Sequence, residues 1–193
     1  MKTLMKNVIS ESIAVKKALL DDDQLLAKIE NLAVNCLNSL RSNGKIIFAG
    51  NGGSFADAQH LSAEFTSRFL FDRAPMASLA LGTNNSAISA IGNDYGFEQV
   101  FARELTGMAN ASDVFIPIST SGTSPNILAA VKQAKLLGLE PVALTGLDGG
   151  KVADLCDCIC VPSKETSRIQ ECHILIGHII CELVEHYYFK ETQ

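Results

Sequence analysis

The chain has no tryptophan, three tyrosines and only four histidines among its 193 residues. It also has no run of like charge longer than the three aspartates Asp21–Asp23, and a formal net charge of −5 leaves no basic face for a polyanion. A nucleic-acid partner is therefore not expected. No apolar stretch reaches the ~18 residues that a membrane-spanning helix requires. The opening "MKTLMKNVISESIAVKKALL" interrupts its apolar positions with Asn7, Glu11, Lys16 and Lys17. It reads as an amphipathic helix, without the unbroken apolar centre of a secretory leader. The six cysteines include no CxxC pair. Cys156, Cys158 and Cys160 recur at a period of two, which puts them on one face of a strand, where buried thiols are expected in preference to a metal site. Unpaired thiols in apolar surroundings fit a reducing compartment, so the cytoplasm is the expected location. There is no repeat at a fixed period, no low-complexity segment and no linker. One domain over residues 1–193 is expected, with a helical segment at about 1–43 and a body at about 44–193.

What the chain does have is apolar surface. Hydrophobic residues make up 47% of it, and the mean hydropathy is slightly positive. A large core, a buried interface between copies, or both would account for that excess. Helical periodicity runs over Lys2–Leu20 and again over Asp22–Asn43, the second capped by Asp21–Asp23 and stopped at Gly44. Beyond it, short apolar runs alternate with helix-length segments. The runs are Lys45–Ala49, Ala77–Leu81, Asp113–Ser119, Glu140–Thr145 and Asp157–Pro162. Strands that alternate with helices predict an α/β fold, a parallel five-stranded sheet flanked by helices on both faces. The last segment, Arg168 to Tyr188, is apolar over most of its circumference and is expected to pack against a partner chain.

Two loops leave strands and enter helices directly: "AGNGGS" (Ala49–Ser54) and "STSGTS" (Ser119–Ser124). The first backbone N–H groups of such helices are free, and the helix dipole favours an anion there. The second loop adds five hydroxyls and no lysine, a combination suited to one phosphate monoester. Neither loop completes a nucleotide motif. The first lacks the third glycine of GxGxxG, and the second lacks the lysine of a triphosphate loop. Tight turns and helix caps are the plain alternative for either loop alone.

His60 and Glu64 stand four residues apart on the helix after the first loop, on one face. An imidazole and a carboxylate one turn apart can hold a divalent metal, and the carboxylate can also move protons; a solvated ion pair is the simpler reading. The final helix carries Gln170, His173 and His178. His173 reads as a satisfied core or interface histidine. Gln170 and His178 are separated by ~12 Å of helix, so one chain does not easily bring both to one metal. Either Gln170 lies at a frayed helix start, or a neighbouring subunit supplies one of the two.

The segments "AGNGGSFADAQHLSAEF", "AIGNDYGFEQVFARE", "ISTSGTSPN", "LTGLDGGK" and "RIQECHILIGHIICELVE" together resemble the sugar isomerase (SIS) fold family, and within it the phosphoheptose isomerases. The resemblance runs through nearly the whole chain. It implies an aldose–ketose isomerase that converts sedoheptulose 7-phosphate to D-glycero-D-manno-heptose 7-phosphate, the first step of bacterial ADP- or GDP-heptose synthesis. It implies a homotetramer with one zinc ion per subunit in sites at subunit interfaces. It implies sugar-phosphate binding by Asn51, Gly52, Gly53, Asn93, Asp94, Ser119, Thr120, Ser121 and Ser124, with Glu64 and Gln170 beside them. His60, Glu64, Gln170 and His178 match the metal ligands, and Glu64 and His178 the acid–base pair. Departures are Phe55 after the first loop, "GTNNS" (Gly82–Ser86) and Ser167, which bear on sugar preference more than on reaction type. The main alternative is a non-catalytic SIS tetramer that associates with a replication initiator; the presence of Glu64 and His178 argues against it. A sugar-phosphate sensor, an amino-sugar phosphate isomerase and a lyase on the same fold are further alternatives.

If the second loop holds the phosphate, Ser121→Ala removes a hydrogen bond to a charged group. The KM for sugar phosphate should then rise by the equivalent of ~1–2 kcal/mol. Steady-state kinetics of the Ser119, Ser121 and Ser124 alanine variants checks this; three unchanged KM values would take the loop out of the site.

Overall fold

A computed structural model describes residues 1–190. The chain opens with α1 (Lys2–Leu20) and α2 (Asp23–Arg41), then alternates β1 (Ile46–Gly50), α3 (Gly53–Thr66), β2 (Ser78–Ala80), α4 (Asn85–Tyr95), α5 (Val100–Met108), β3 (Val114–Ser119), α6 (Pro125–Leu136), β4 (Val142–Thr145), β5 (Asp157–Cys160) and α7 (Thr166–Lys190). Asp22 caps α2 by accepting from the N–H groups of Gln24 and Leu25. That helix ends at Arg41, and Asn43 turns the chain with a positive φ of 59°.

All strand pairs are parallel, in the order β2-β1-β3-β4-β5. The expected α/β architecture is therefore the one observed. Both faces of the sheet are apolar, as a covered parallel sheet requires. Ile46 and Phe48 of β1 join a core with α2, α3 and α7, while Ile47 and Ala49 join a second core with α5 and α6. The order places β1 beside β3 at the point where the winding reverses, which is where ligands bind in open parallel sheets. Both glycine- and serine-rich loops leave the sheet at this point.

The apolar excess is divided between the core and one exposed helix. The apolar side of α7 is largely taken up inside its own chain, against the sheet and against α1, α2 and α3. It is α1 that leaves Leu4, Met5, Val8, Ile9, Ile13 and Leu20 exposed. Helix α1 is tied to α7 by polar contacts: Ser12 Oγ donates to Glu171 at 2.6 Å and Arg168 to the Val8 carbonyl at 3.0 Å. The six cysteines are free thiols. Cys36, Cys158, Cys172 and Cys181 are buried, while Cys156 and Cys160 are half-buried. Among the described residues, no helix is long and apolar enough to cross a membrane.

His173 is fully buried on α7, and its Nε2–H donates to the Thr145 carbonyl at 3.1 Å. Its Nδ1 has no partner. Burial lowers its pKa from 6.5 to about 4, with the Thr145 contact opposing. The unfolded chain thus takes up a proton below about pH 6.5 that the folded chain refuses until about pH 4, so stability falls as pH drops through that window. The loss is on the order of 3 kcal/mol. Urea unfolding between pH 7.5 and 4.5 should show it, and His173→Gln, whose amide can still donate to Thr145, should flatten that part of the profile.

Candidate active site

The two loops build opposite walls of one crevice. Strand β1 feeds α3 on one face of the sheet, and β3 feeds α6 on the other. Helices α2 and α4 have side-chain caps from Asp22 and Asn84, but the N-cap residues of α3 and α6, Gly52 and Ser124, make no side-chain cap hydrogen bond. Their leading N–H groups are thus left for a ligand. Asn51 and Asn126 exchange a pair of amide hydrogen bonds, both 2.9 Å, across the crevice. Asn126 is buried, and it locks the first loop to the start of α6. In the second loop, Ser119 and Ser124 hydroxyls lie 3.3 Å apart, and Ser121 Oγ accepts from the Thr123 hydroxyl at 3.0 Å. Two clefts of about 230 Å³ flank these loops. Gly50, Asn51, Gly52, Phe55, Gly82 and Phe101 line one. Thr120, Ser121, Gly146, Asp148, Lys164 and Ile169 line part of the other.

Two turns further along α3, a second group converges. His60 Nε2 lies 3.0 Å from Glu64 Oε1 and 3.3 Å from His178 Nε2. The three donor atoms all fall within 4.8 Å of one another. Three atoms with one shared region between them can be satisfied in two ways. A single N–H can be split among competing acceptors, or both imidazoles can carry their protons on Nδ1 and turn three lone pairs inward. The second arrangement is a cation site. A tetrahedral ion with bonds of about 2.0–2.1 Å spaces its ligand atoms by about 3.3–3.4 Å, close to the separations here. The residues present therefore fit a divalent metal. Burial lowers the pKa of His178 and the His60 charge lowers it further, with Glu64 opposing, so the free imidazole is neutral at pH 7. The Phe69 ring flanks it, with centroids 5.4 Å apart. One turn before His60, Asp57 keeps a carboxylate oxygen buried without a partner. Burial raises its pKa, and His60 pulls the other way.

A SIS domain family model matches residues 11–146. Phosphoheptose isomerase from Aneurinibacillus thermoaerophilus is 53% identical over 191 residues, covering 98% of this chain and 96% of that protein. The structure of phosphoheptose isomerase from Neisseria gonorrhoeae superposes with a TM-score of 0.88 at 40% identity, over 95% of this chain and 98% of the other. That from Francisella tularensis gives 0.90 at 33% identity, over 96% and 100%. This chain belongs to the phosphoheptose isomerases of the SIS domain family. Solved structures at 20% identity and below share the fold alone.

Within this SIS chain the predicted residues fall into three places. Asn51, Gly52, Gly53, Ser119, Thr120, Ser121 and Ser124 gather at the switch-point crevice. His60, Glu64 and His178 meet between α3 and α7. Gln170 does not join them: it lies within a continuous α7, packed on Gly53 so closely that a Cβ there would collide with its amide. A frayed helix start is thus removed as an explanation for a shared metal. Asn93 and Asp94 are also apart, exposed on α4 beside a separate hollow lined by Asn85, Ser86 and Ser89, with Asn93 donating to Asp94 at 2.8 Å. Sequence reasoning missed Asn126 and Phe69. Asn126 was visible within "TSPN" but reads there as an ordinary first-turn residue; Phe69 carries no local signal.

A metal held by this trio should depend on both histidines. Protein incubated with a divalent transition-metal ion and desalted should retain about one equivalent, and His60→Ala should lose it. Elemental analysis checks this; equal retention by the variant would dismiss the trio as a metal site.

Proposed function

We propose that the protein is an aldose–ketose isomerase that interconverts sedoheptulose 7-phosphate and D-glycero-D-manno-heptose 7-phosphate. The observation that carries this reading is the meeting of His60, Glu64 and His178 beside two anion-receiving loops, in a chain that matches phosphoheptose isomerases from end to end. The initiator-associating regulator finds no support among the relatives.

Isomerisation moves one proton between neighbouring carbons. A base removes a proton from C1 of the ketose, the electron pair forms the C1–C2 double bond, and the C2 oxygen takes up a proton. The resulting enediol then gives up its O1 proton, C1 becomes the carbonyl, and a proton returns to C2. No atom is gained or lost. Glu64 is the carbon-directed base, because a carboxylate reaches the substrate from α3 without a charge change on the histidines. His178 serves the oxygens through Nδ1, the nitrogen left over when Nε2 faces the trio: its N–H can give a proton to the C2 oxygen and recover one from O1. The crevice loops hold the phosphate through amides and hydroxyls and so fix where C1 and C2 fall. Asn126 acts on Asn51 and keeps the two walls in register.

The metal we assign is zinc, held by His60, Glu64 and His178, ligands that suit it. When bound it would polarise the substrate carbonyl as a Lewis acid. Gln170 completes the ligand set from a neighbouring subunit, and Asn93 and Asp94 reach a neighbour's crevice in the same way. That arrangement is a homotetramer, with the exposed apolar side of α1 among its contacts. The whole chain forms one SIS unit and works in the cytoplasm.

Glu64→Gln tests the central role. The amide keeps the shape and one oxygen for metal but cannot accept the carbon-bound proton. The kcat should fall by ~10²–10⁴ with KM nearly unchanged, even at saturating zinc. Wild-type enzyme in deuterated water should incorporate solvent deuterium at C1 or C2. Near wild-type turnover by the variant would end the assignment.

A further inference from the structure

A buried polar cluster lies at the C-terminal end of α3, just past Glu64. The last carbonyls of a helix lack intrahelical partners. Arg73, in the loop between α3 and β2, folds back over them. Its Nη2 donates to the Glu64 carbonyl at 2.7 Å, and its Nη1 to Phe65, Ser67 and Ala74 carbonyls at 2.9, 3.2 and 3.0 Å. Its Nε donates to Glu185 Oε1 on α7 at 2.7 Å. Glu185 in turn accepts from the N–H groups of Phe69 at 2.9 Å and Leu70 at 2.8 Å. Both side chains are 1% exposed. The segment so held is the one that sets the Phe69 ring against His178.

We propose that the Arg73–Glu185 pair is a positioning device for the isomerase site. It fixes the backbone of Glu64 from one side and the ring that flanks His178 from the other. This rests on the reading that Glu64 and His178 carry the reaction. A buried ion pair is weak support for stability as such, because desolvation offsets most of its attraction and apolar replacements often fold as well. Its contacts here are directional. A guanidinium fork with five N–H donors grips carbonyls whose positions decide where Glu64 stands, and lysine cannot reproduce the fork. Burial raises the Glu185 pKa, but the Leu70 N–H, Arg73 and the Phe69 N–H outweigh it and hold the carboxyl below its usual range. The clamp is charged at neutral pH. Shifts well below an ångström at such supports are felt at the reacting atoms.

The test uses the full-length protein and the variants Arg73→Lys and Glu185→Gln. Leu105→Ala, a cavity in the core on the other face of the sheet, serves as the control for general destabilisation. Both clamp variants should lose zinc affinity about tenfold to a hundredfold in chelator competition. Their kcat should fall by about the same factor while KM changes less than about threefold. Leu105→Ala should lower Tm and leave both quantities within about twofold of wild type. Unchanged zinc affinity and kcat in the clamp variants, or equal losses in Leu105→Ala, would overturn the proposal. Should the clamp variants not fold, amide exchange in wild type decides. Coupling is reciprocal, so zinc loading should slow exchange of the Phe69 and Leu70 amides by about tenfold or more; unaltered exchange there would overturn it. A wild-type protein that takes up no zinc would count against the metal reading, and the clamp would then stand or fall on kcat alone.

Discussion

Helix α3 and helix α7 can touch because Gly177 has no side chain. A Cβ at that position would collide with the Leu61 side chain. Packed helices ordinarily keep their axes about 8–10 Å apart, depending on the side chains at the contact, and glycine at the crossing removes one of those side chains. With glycine at the crossing, His178 comes within 3.3 Å of His60. A second close contact, Gln170 on Gly53, lies seven residues back along α7 and eight back along α3. The two contacts together mean that α3 and α7 run side by side in the same direction. The layout of the candidate site follows from that alignment, because α3 begins at the glycine-rich loop and carries Glu64 in its last turn.

The alignment gives the site a polarity. The start of α3 faces the Ser119–Ser124 loop across the crevice, joined to it by the Asn51–Asn126 bridge. From Gly53 to His60 is seven residues, about 10 Å of helix. A heptose 7-phosphate has the same polarity, with its phosphate on the last carbon and its reactive carbonyl at the first two. On the proposed reading the phosphate end of the sugar goes to the loops and its carbonyl end to the metal trio.

Much of the architecture could be read from the sequence because its signals are local. Helix α1 was legible to the residue from its periodicity, and the five strand runs were legible from their apolar blocks between turn residues. The strand order was not, since both faces of every central strand are apolar and such runs carry no mark of their neighbours. The His60–Glu64 pair was visible as an i, i+4 spacing. Its meeting with His178 was not, because it depends on a glycine–leucine contact between residues 61 and 177, which no periodicity records. A helix apolar over most of its circumference can also be covered in part by its own chain, and here α1, α2, α3 and the sheet take up much of α7. The exposed apolar surface passed to α1, whose mixed pattern looked like that of an ordinary surface helix.

A carboxylate that holds a metal and also serves as a base would have two incompatible tasks if it had one oxygen. Glu64 has two, and only Oε1 faces His60. On the proposed reading, Oε1 belongs to the metal trio, and the other oxygen can act on carbon without releasing it. This division demands that the carboxylate plane stay fixed, since a rotation of the group would exchange the two oxygens. The side chain is 23% exposed, so surrounding atoms restrain it only partly. Contact of Oε1 with His60 limits that rotation, and the remaining support is the backbone from which the side chain springs. That is the part of Glu64 that Arg73 grips.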